Sequence, residues 1–153
     1  MAIDVRRATV HDLPAARRLL AHLHDEPDVA WSASLWARIV SDPSRAVLLA
    51  FDREEYAVGT AEVLIIPNLT HGGAPRATVE NVVVDPAWRG RGVGRSLLRH
   101  TTRIAEGAGC DRLQLVSSVE RVEAQGFYEA LGFERAAIGF TLPLGQHDRV
   151  GAA

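Results

Sequence analysis

Lysine is absent: all 17 basic residues of the 153-residue chain are arginine. That excludes a Schiff-base lysine mechanism and a nucleotide-triphosphate P-loop, which needs a lysine after its last glycine. The single cysteine, Cys110, has no partner for an internal disulfide and no neighbouring histidine to activate it, so it reads as a small buried residue. No apolar run reaches membrane-spanning length, and the amino terminus lacks the charged-then-apolar pattern of a signal peptide. A soluble, cytoplasmic protein without a membrane partner is expected. Nor is there an excess of one charge. The 17 arginines and 19 acids are spread along the chain and leave a net charge of -2, so there is no basic face of the kind a duplex requires and nucleic acid is not an expected partner. No G-x-S-x-G elbow is present, which leaves no evident nucleophile for a covalent intermediate. His22 and His24 stand two apart and would point in different directions on a helix, so no metal site is expected.

At 47% hydrophobic the chain has the material for one ordinary core, and a single domain over 1–153 with a core near 3–143 is expected. Residues 3–7 read as a strand. Asp12 and Pro14 then start a helix whose apolar face carries Leu13, Ala16, Leu20 and Leu23. Asp25, Glu26 and Asp28 make an acidic loop. Ser32 or Ser34 caps a second helix with Leu35, Trp36, Ile39 and Val40 on one stripe, ended by Asp42-Pro43. Residues 47–51 and 56–66 form a hairpin. The segment 67–76, PNLTHGGAPR, is a loop in which Asn68, Thr70 and His71 are secondary candidates for recognition.

The stretch from Thr78 to His100, TVENVVVDPAWRGRGVGRSLLRH, organises the rest. Val79, Val82, Val83 and Val84 mark a strand covered on both faces, closed by Asp85-Pro86. Val93, Leu97, Leu98, Thr101, Ile104 and Ala105 recur at helical spacing. Gly90, Gly92 and Gly94 therefore lie at a helix N-terminus. Unpaired N–H groups there, the positive end of the helix dipole, and Arg89, Arg91 and Arg95 make a site for a pyrophosphate. A dinucleotide fingerprint would need a third glycine where Arg95 stands. Beyond this stretch, residues 113–116 read as a strand. A helix then begins at Glu120 or Arg121, carries Ala124, Phe127, Tyr128 and Leu131, and stops at Gly132. Residues 133–142 read as a final strand and 145–153 as a frayed tail. The order is β-α-α-β-β-β-α-β-α-β, a mixed α/β fold with a mostly antiparallel sheet flanked by helices.

Arg89-x-x-Gly92-x-Gly94 between a valine-rich strand and an amphipathic helix resembles the pyrophosphate loop of the Gcn5-related (GNAT) N-acetyltransferases. Phe127-Tyr128-Glu129-Ala130-Leu131-Gly132-Phe133 resembles their closing motif, and the element order is similar along almost the whole chain. The resemblance implies acetyl-coenzyme A as cosubstrate, with no metal. It places the diphosphate on Arg89, Gly90, Arg91, Gly92, Val93, Gly94, Arg95 and Ser96. It further implies that the central strand splays from its parallel neighbour, freeing the main chain of Val82, Val83 and Val84 for the pantetheine arm. Where the family often carries a cofactor-contacting asparagine, this chain has Arg121, which becomes a candidate phosphate or acceptor contact.

Simple alternation puts Glu80, Val82 and Val84 on one face and Val79, Asn81 and Val83 on the other. By the same resemblance, Glu80 would lie near the acetyl group in apolar surroundings and act as general base toward an ammonium acceptor. Its structural alternative is an ion pair with an arginine such as Arg76. Tyr128 would donate a hydrogen bond to the departing thiolate, against the alternative of a buried aromatic with a satisfied hydroxyl. The expected reaction is direct transfer of acetyl from acetyl-coenzyme A to a primary amine of a small molecule. Protein or peptide N-acetylation and a non-catalytic acetyl-coenzyme A sensing module are the alternatives. Monomer and homodimer both stay open.

Overall fold

The computed structural model describes residues 3–23 and 31–144, which divide between Leu115 and Val116 into two compact units. The acidic loop at Asp25, Glu26 and Asp28, His24, and the tail from 145 lie outside the described residues. In the first unit, β1 (Asp4–Arg7), β2 (Arg45–Phe51), β3 (Ala57–Ile66), β4 (Arg76–Val84) and β5 (Leu113–Leu115) form one sheet in sequential order. All neighbouring pairs are antiparallel except β4 and β5. Helices α1 (Leu13–Leu20) and α2 (Ala33–Ser41) cover one face and α3 (Val93–Gly107) the other. The expected fold class is therefore the observed one.

Pairing assigns the faces, because residues opposite one another point the same way. Ala46/Val63, Leu48/Ala61 and Ala50/Gly59 are cross-strand partners and pack with Val93, Leu97 and Ala105 of α3. Val47/Glu62 and Leu49/Thr60 face the other way, where Val47 meets Ala16 and Trp36, and Leu49 meets Leu19. The spacing read in α3 holds, with Val93, Leu97, Leu98, Thr101 and Ala105 buried. In α1 the buried pair is Ala16 and Leu19, so its inward face is rotated from the one expected. Asp12 does not cap α1. It closes a capping box with Thr9 one turn earlier and is gripped by Arg6. Ser32, rather than Ser34, caps α2 through Leu35 N, and the buried Trp36 donates its indole N–H to Thr9 O at 3.1 Å.

The second unit contains α4 (Val122–Ala130). Gly132 ends it with φ 92° as Phe133 N donates to Tyr128 O. The expected strand over 133–142 is absent. The alternation of Ile138, Phe140 and Leu142 imitates a strand, but a strand exists only where its main chain pairs, and no ladder forms there. Gly139 and Pro143 at its end further weaken that segment.

Candidate active site

The valines of β4 do not alternate in the simple way. Opposite Thr60 lies Val83 and opposite Glu62 lies Glu80, so β4 carries one residue more than β3 across this interval. Asn81, at φ 52°, marks the bulge. Its effect is to reverse parity: Glu80 shares the α1/α2 face with Val83, while Val82 and Val84 pack toward α3. The expected grouping of Glu80 with Val82 and Val84 is thus corrected. Glu80 is exposed, contrary to the apolar surroundings anticipated for it, and no ion pair joins it to Arg76 or to any other described residue.

The parallel ladder between β4 and β5 ends at Val79/Leu115, whereas β4 continues to Val84 paired only with β3. Among the described residues, the main-chain groups of Val82 to Val84 on that edge find no hydrogen-bond partner. Asp85 then anchors the turn. Its N–H donates to Val58 O, its Oδ1 accepts from Ala87 N, and its Oδ2 takes a 3.0 Å bond from Arg18 of α1. Arg18 also donates to Ala57 O and covers the Tyr56 ring.

Past Trp88 the chain adopts φ 72° at Gly90 and φ 83° at Gly92, the latter being the N-cap of α3. A Cβ at either would meet nothing within 4 Å, so these glycines are required by conformation rather than by crowding. Gly94, by contrast, is an ordinary helical residue. The first bond of α3 runs from Ser96 N to Gly92 O. Among the described residues, the amides from Gly90 to Arg95 have no backbone acceptor. Arg89, Arg91 and Arg95 are exposed around them, make no ion pair with a described residue, and Arg91 lies 5.2 Å from the Trp88 ring. Unpaired donors, a helix N-terminus and three cations fit a diphosphate.

Gly59 sets where that N-terminus sits, and sequence reading passed it over. A Cβ there would stand 2.8 Å from Val93 Cγ1, 3.1 Å from Leu97 Cδ1 and 3.1 Å from Val83 O. Only glycine lets α3 approach β3 this closely. Glu62 was missed as well. It is 6% exposed, accepts a 2.9 Å bond from Asn81 Nδ2, and lies 2.6 Å from Arg45 Nη1. That ionic contact lacks hydrogen-bond alignment and contributes mainly charge neutralisation. A lone glutamate inside the apolar run AVGTAEVLII is the signal that could have revealed it.

Within the second unit, the Tyr128 ring is flanked by Phe127 at 5.3 Å and Phe133 at 5.8 Å. Burial pushes its phenol pKa above 10, while the charge of Arg121 acts in the opposite direction. The residue therefore carries its proton at neutral pH. Cys110 is half-buried beside the Ala105 cluster, and burial together with Asp111 raises its pKa, which disfavours a thiolate. Among the described residues no cluster of His, Cys, Asp and Glu has the makings of a metal site, and no helix is long and apolar enough to cross a membrane. Asn68, Thr70 and His71 lie in the β3–β4 connection, where His71 Nδ1 is 3.5 Å from Asp111 Oδ2.

Residues 9–133 match the acetyltransferase (GNAT) family, and the chain belongs to it. It is thereby an acetyl-coenzyme A-dependent N-acetyltransferase. The chain is 34% identical to a glucosamine 6-phosphate N-acetyltransferase of Trypanosoma brucei brucei, with 86% of this chain and 88% of that protein covered. It is 33% identical to an aminoglycoside N(6')-acetyltransferase type 1 of Stenotrophomonas maltophilia, covering 94% and 95%. Among solved structures, a putative acetyltransferase from Agrobacterium tumefaciens str. C58 superposes with a TM-score of 0.85 at 32% identity, covering 92% of this chain and 99% of that one.

Proposed function

We propose that this chain moves the acetyl group of acetyl-coenzyme A onto a primary amine of a small molecule by direct attack. The observation that carries the reading is the run of amides from Gly90 to Arg95 at the head of α3, which have no backbone acceptor among the described residues and stand beside the exposed Arg89, Arg91 and Arg95. The two relatives named for an amino sugar phosphate and an aminoglycoside support a small-molecule acceptor. Acetyl-coenzyme A supplies the acyl group as an activated thioester. Its diphosphate is assigned to the segment from Arg89 to Ser96 and its pantetheine arm to the open edge of Val82 to Val84.

Glu80, exposed on the face away from α3, takes a proton from the ammonium group, directly or through water, because only the neutral amine can attack. The neutral amine adds to the thioester carbonyl to form a tetrahedral intermediate, which loses a proton from nitrogen to solvent and collapses with cleavage of the C–S bond, while the phenol of Tyr128 donates a hydrogen bond to the thiolate that leaves and is then protonated from solvent. Arg121 is assigned to the diphosphate or the acceptor. The whole chain works as one acetyltransferase domain in this reading.

Thiol release and acceptor mass gain, measured together over a panel of amino sugars, aminoglycosides, polyamines and amino-terminal peptides, test the proposal. Acetylated small amines with stoichiometric coenzyme A are expected. Binding of acetyl-coenzyme A without release for every amine would favour a sensing module. Acetylation of peptides alone would transfer the assignment to protein substrates. Absence of any thermal stabilisation by saturating acetyl-coenzyme A would remove the reading altogether.

A further inference from the structure

Glu62 is a carboxylate buried in the middle of an apolar sheet, and nothing in the proposed reaction uses it. Burial of a charge is costly unless it is paired, and here the pairing is specific. Arg45 on β2 neutralises it at 2.6 Å. Asn81 on β4 donates to its other oxygen at 2.9 Å. Asn81 is also the residue that holds a positive φ, 52°, at the point where the register of β3 and β4 slips. Asparagine tolerates that conformation, yet the extra residue leaves ladder groups unpaired, so something must favour the bulge over a strand in continuous register.

We propose that Glu62 is a positioning residue: paired with Arg45, it latches the side chain of Asn81, fixes the bulge, and thereby sets both the face on which Glu80 emerges and the aim of the main chain from Val82 to Val84. Were the bulge absorbed, every residue on one side of it would exchange faces, and Glu80 could not share a face with Val83. The inference rests on the functional reading above only for what the latch serves. The latch itself stands on β2, β3 and β4.

The test uses Asn81→Asp alone and combined with Glu62→Gln. The single change keeps a residue that accepts positive φ but sets two carboxylates against each other. In the double variant the amide of residue 62 donates to the carboxylate of residue 81, so the bond returns with donor and acceptor exchanged and with the summed charge of residues 45, 62 and 81 unchanged. Two readouts are taken well below each melting temperature: the cross-strand nuclear Overhauser pattern of β3 against β4, and the Kd for acetyl-coenzyme A. The single variant is expected to lose the Thr60–Val83 pairing and to bind about tenfold more weakly, and the double variant to recover both to within about threefold.

A single variant with the native register overturns the latch, whatever its affinity. A lost register with native affinity overturns the positioning role. If the unmodified protein binds no acetyl-coenzyme A while the register responds as described, the latch stands and the functional reading falls.

Discussion

Replacing Gly59 with alanine adds one methyl group to the floor under α3, and the structure fixes where that group must go. Its Cβ would lie 2.8 Å from Val93 Cγ1 and 3.1 Å from both Leu97 Cδ1 and the main-chain oxygen of Val83. Carbon atoms pack at about 3.5–4.0 Å, so Val93 would have to retreat by roughly 0.7 Å or more. Val93 and Leu97 are fully buried, and Val83 O belongs to the sheet, which leaves no soft neighbour to yield. Overpacking of this kind costs about 1–3 kcal/mol. For a chain of this length that corresponds to a fall in Tm of about 2–12 °C. Because Val93 is the first residue of α3, the retreat also displaces the amide cradle, and affinity for acetyl-coenzyme A should fall by about tenfold. Gly107→Ala, at the far end of the same helix with nothing within 4 Å and no positive φ, serves as control and should be neutral or stabilising by about 0.4–1 kcal/mol. Thermal unfolding and calorimetric titration read both quantities. Gly59→Ala with unchanged Tm and unchanged affinity would refute the claim that this contact seats the helix.

Glu80→Gln should reduce turnover about 100-fold, most severely at acid pH where the amine is protonated, with acetyl-coenzyme A affinity intact; a pH–rate profile parallel to that of the unmodified enzyme would discard Glu80 as base. Tyr128→Phe should slow thiol release by about 100-fold without unfolding the protein, and equal activity would leave Tyr128 as packing. Arg121→Ala should move the spectrophotometric titration of Tyr128 further upward, because Arg121 is the charge that opposes the rise due to burial. Asp12→Asn removes the charge and one of the two oxygens that hold Arg6 and Thr9 and should destabilise by about 1 kcal/mol at pH 7. Those partners hold the Asp12 carboxyl well below its ordinary 3.8, so the native advantage is complete above that value and shrinks progressively as pH falls from it toward the lower native value. Denaturant melts at pH 7 and at pH 2 that show the same deficit would contradict this account.

The parts of the fold governed by a simple period were legible in the sequence. The buried residues of α3 follow from the 3.6-residue repeat, and the positive-φ turn with unpaired amides at its head from glycines placed between a strand and that helix. What the sequence hid depends on partners distant along the chain. The single inserted residue at Asn81 leaves the run of valines looking uninterrupted, yet reverses the faces of everything beyond it. Glu62 and Gly59 seem out of place within β3 until Arg45, Asn81 and Val93 are brought against them. The alternation over 133–142 imitates a strand because apolar periodicity reports a preference of side chains and carries no information on whether the main chain finds a neighbour.

Arg18 binds three groups on two distant stretches of chain at once: the carboxylate that follows β4, and, side by side, the carbonyl that begins β3 and the ring of Tyr56 just before it. A flat, forked cation can serve all three, whereas a single ammonium point cannot. The first helix is therefore fastened to the turn that leads into α3. In a protein that uses arginine for every positive charge, this is one place where exchanging it for the shorter alphabet of lysine would keep the charge and dismantle the joint.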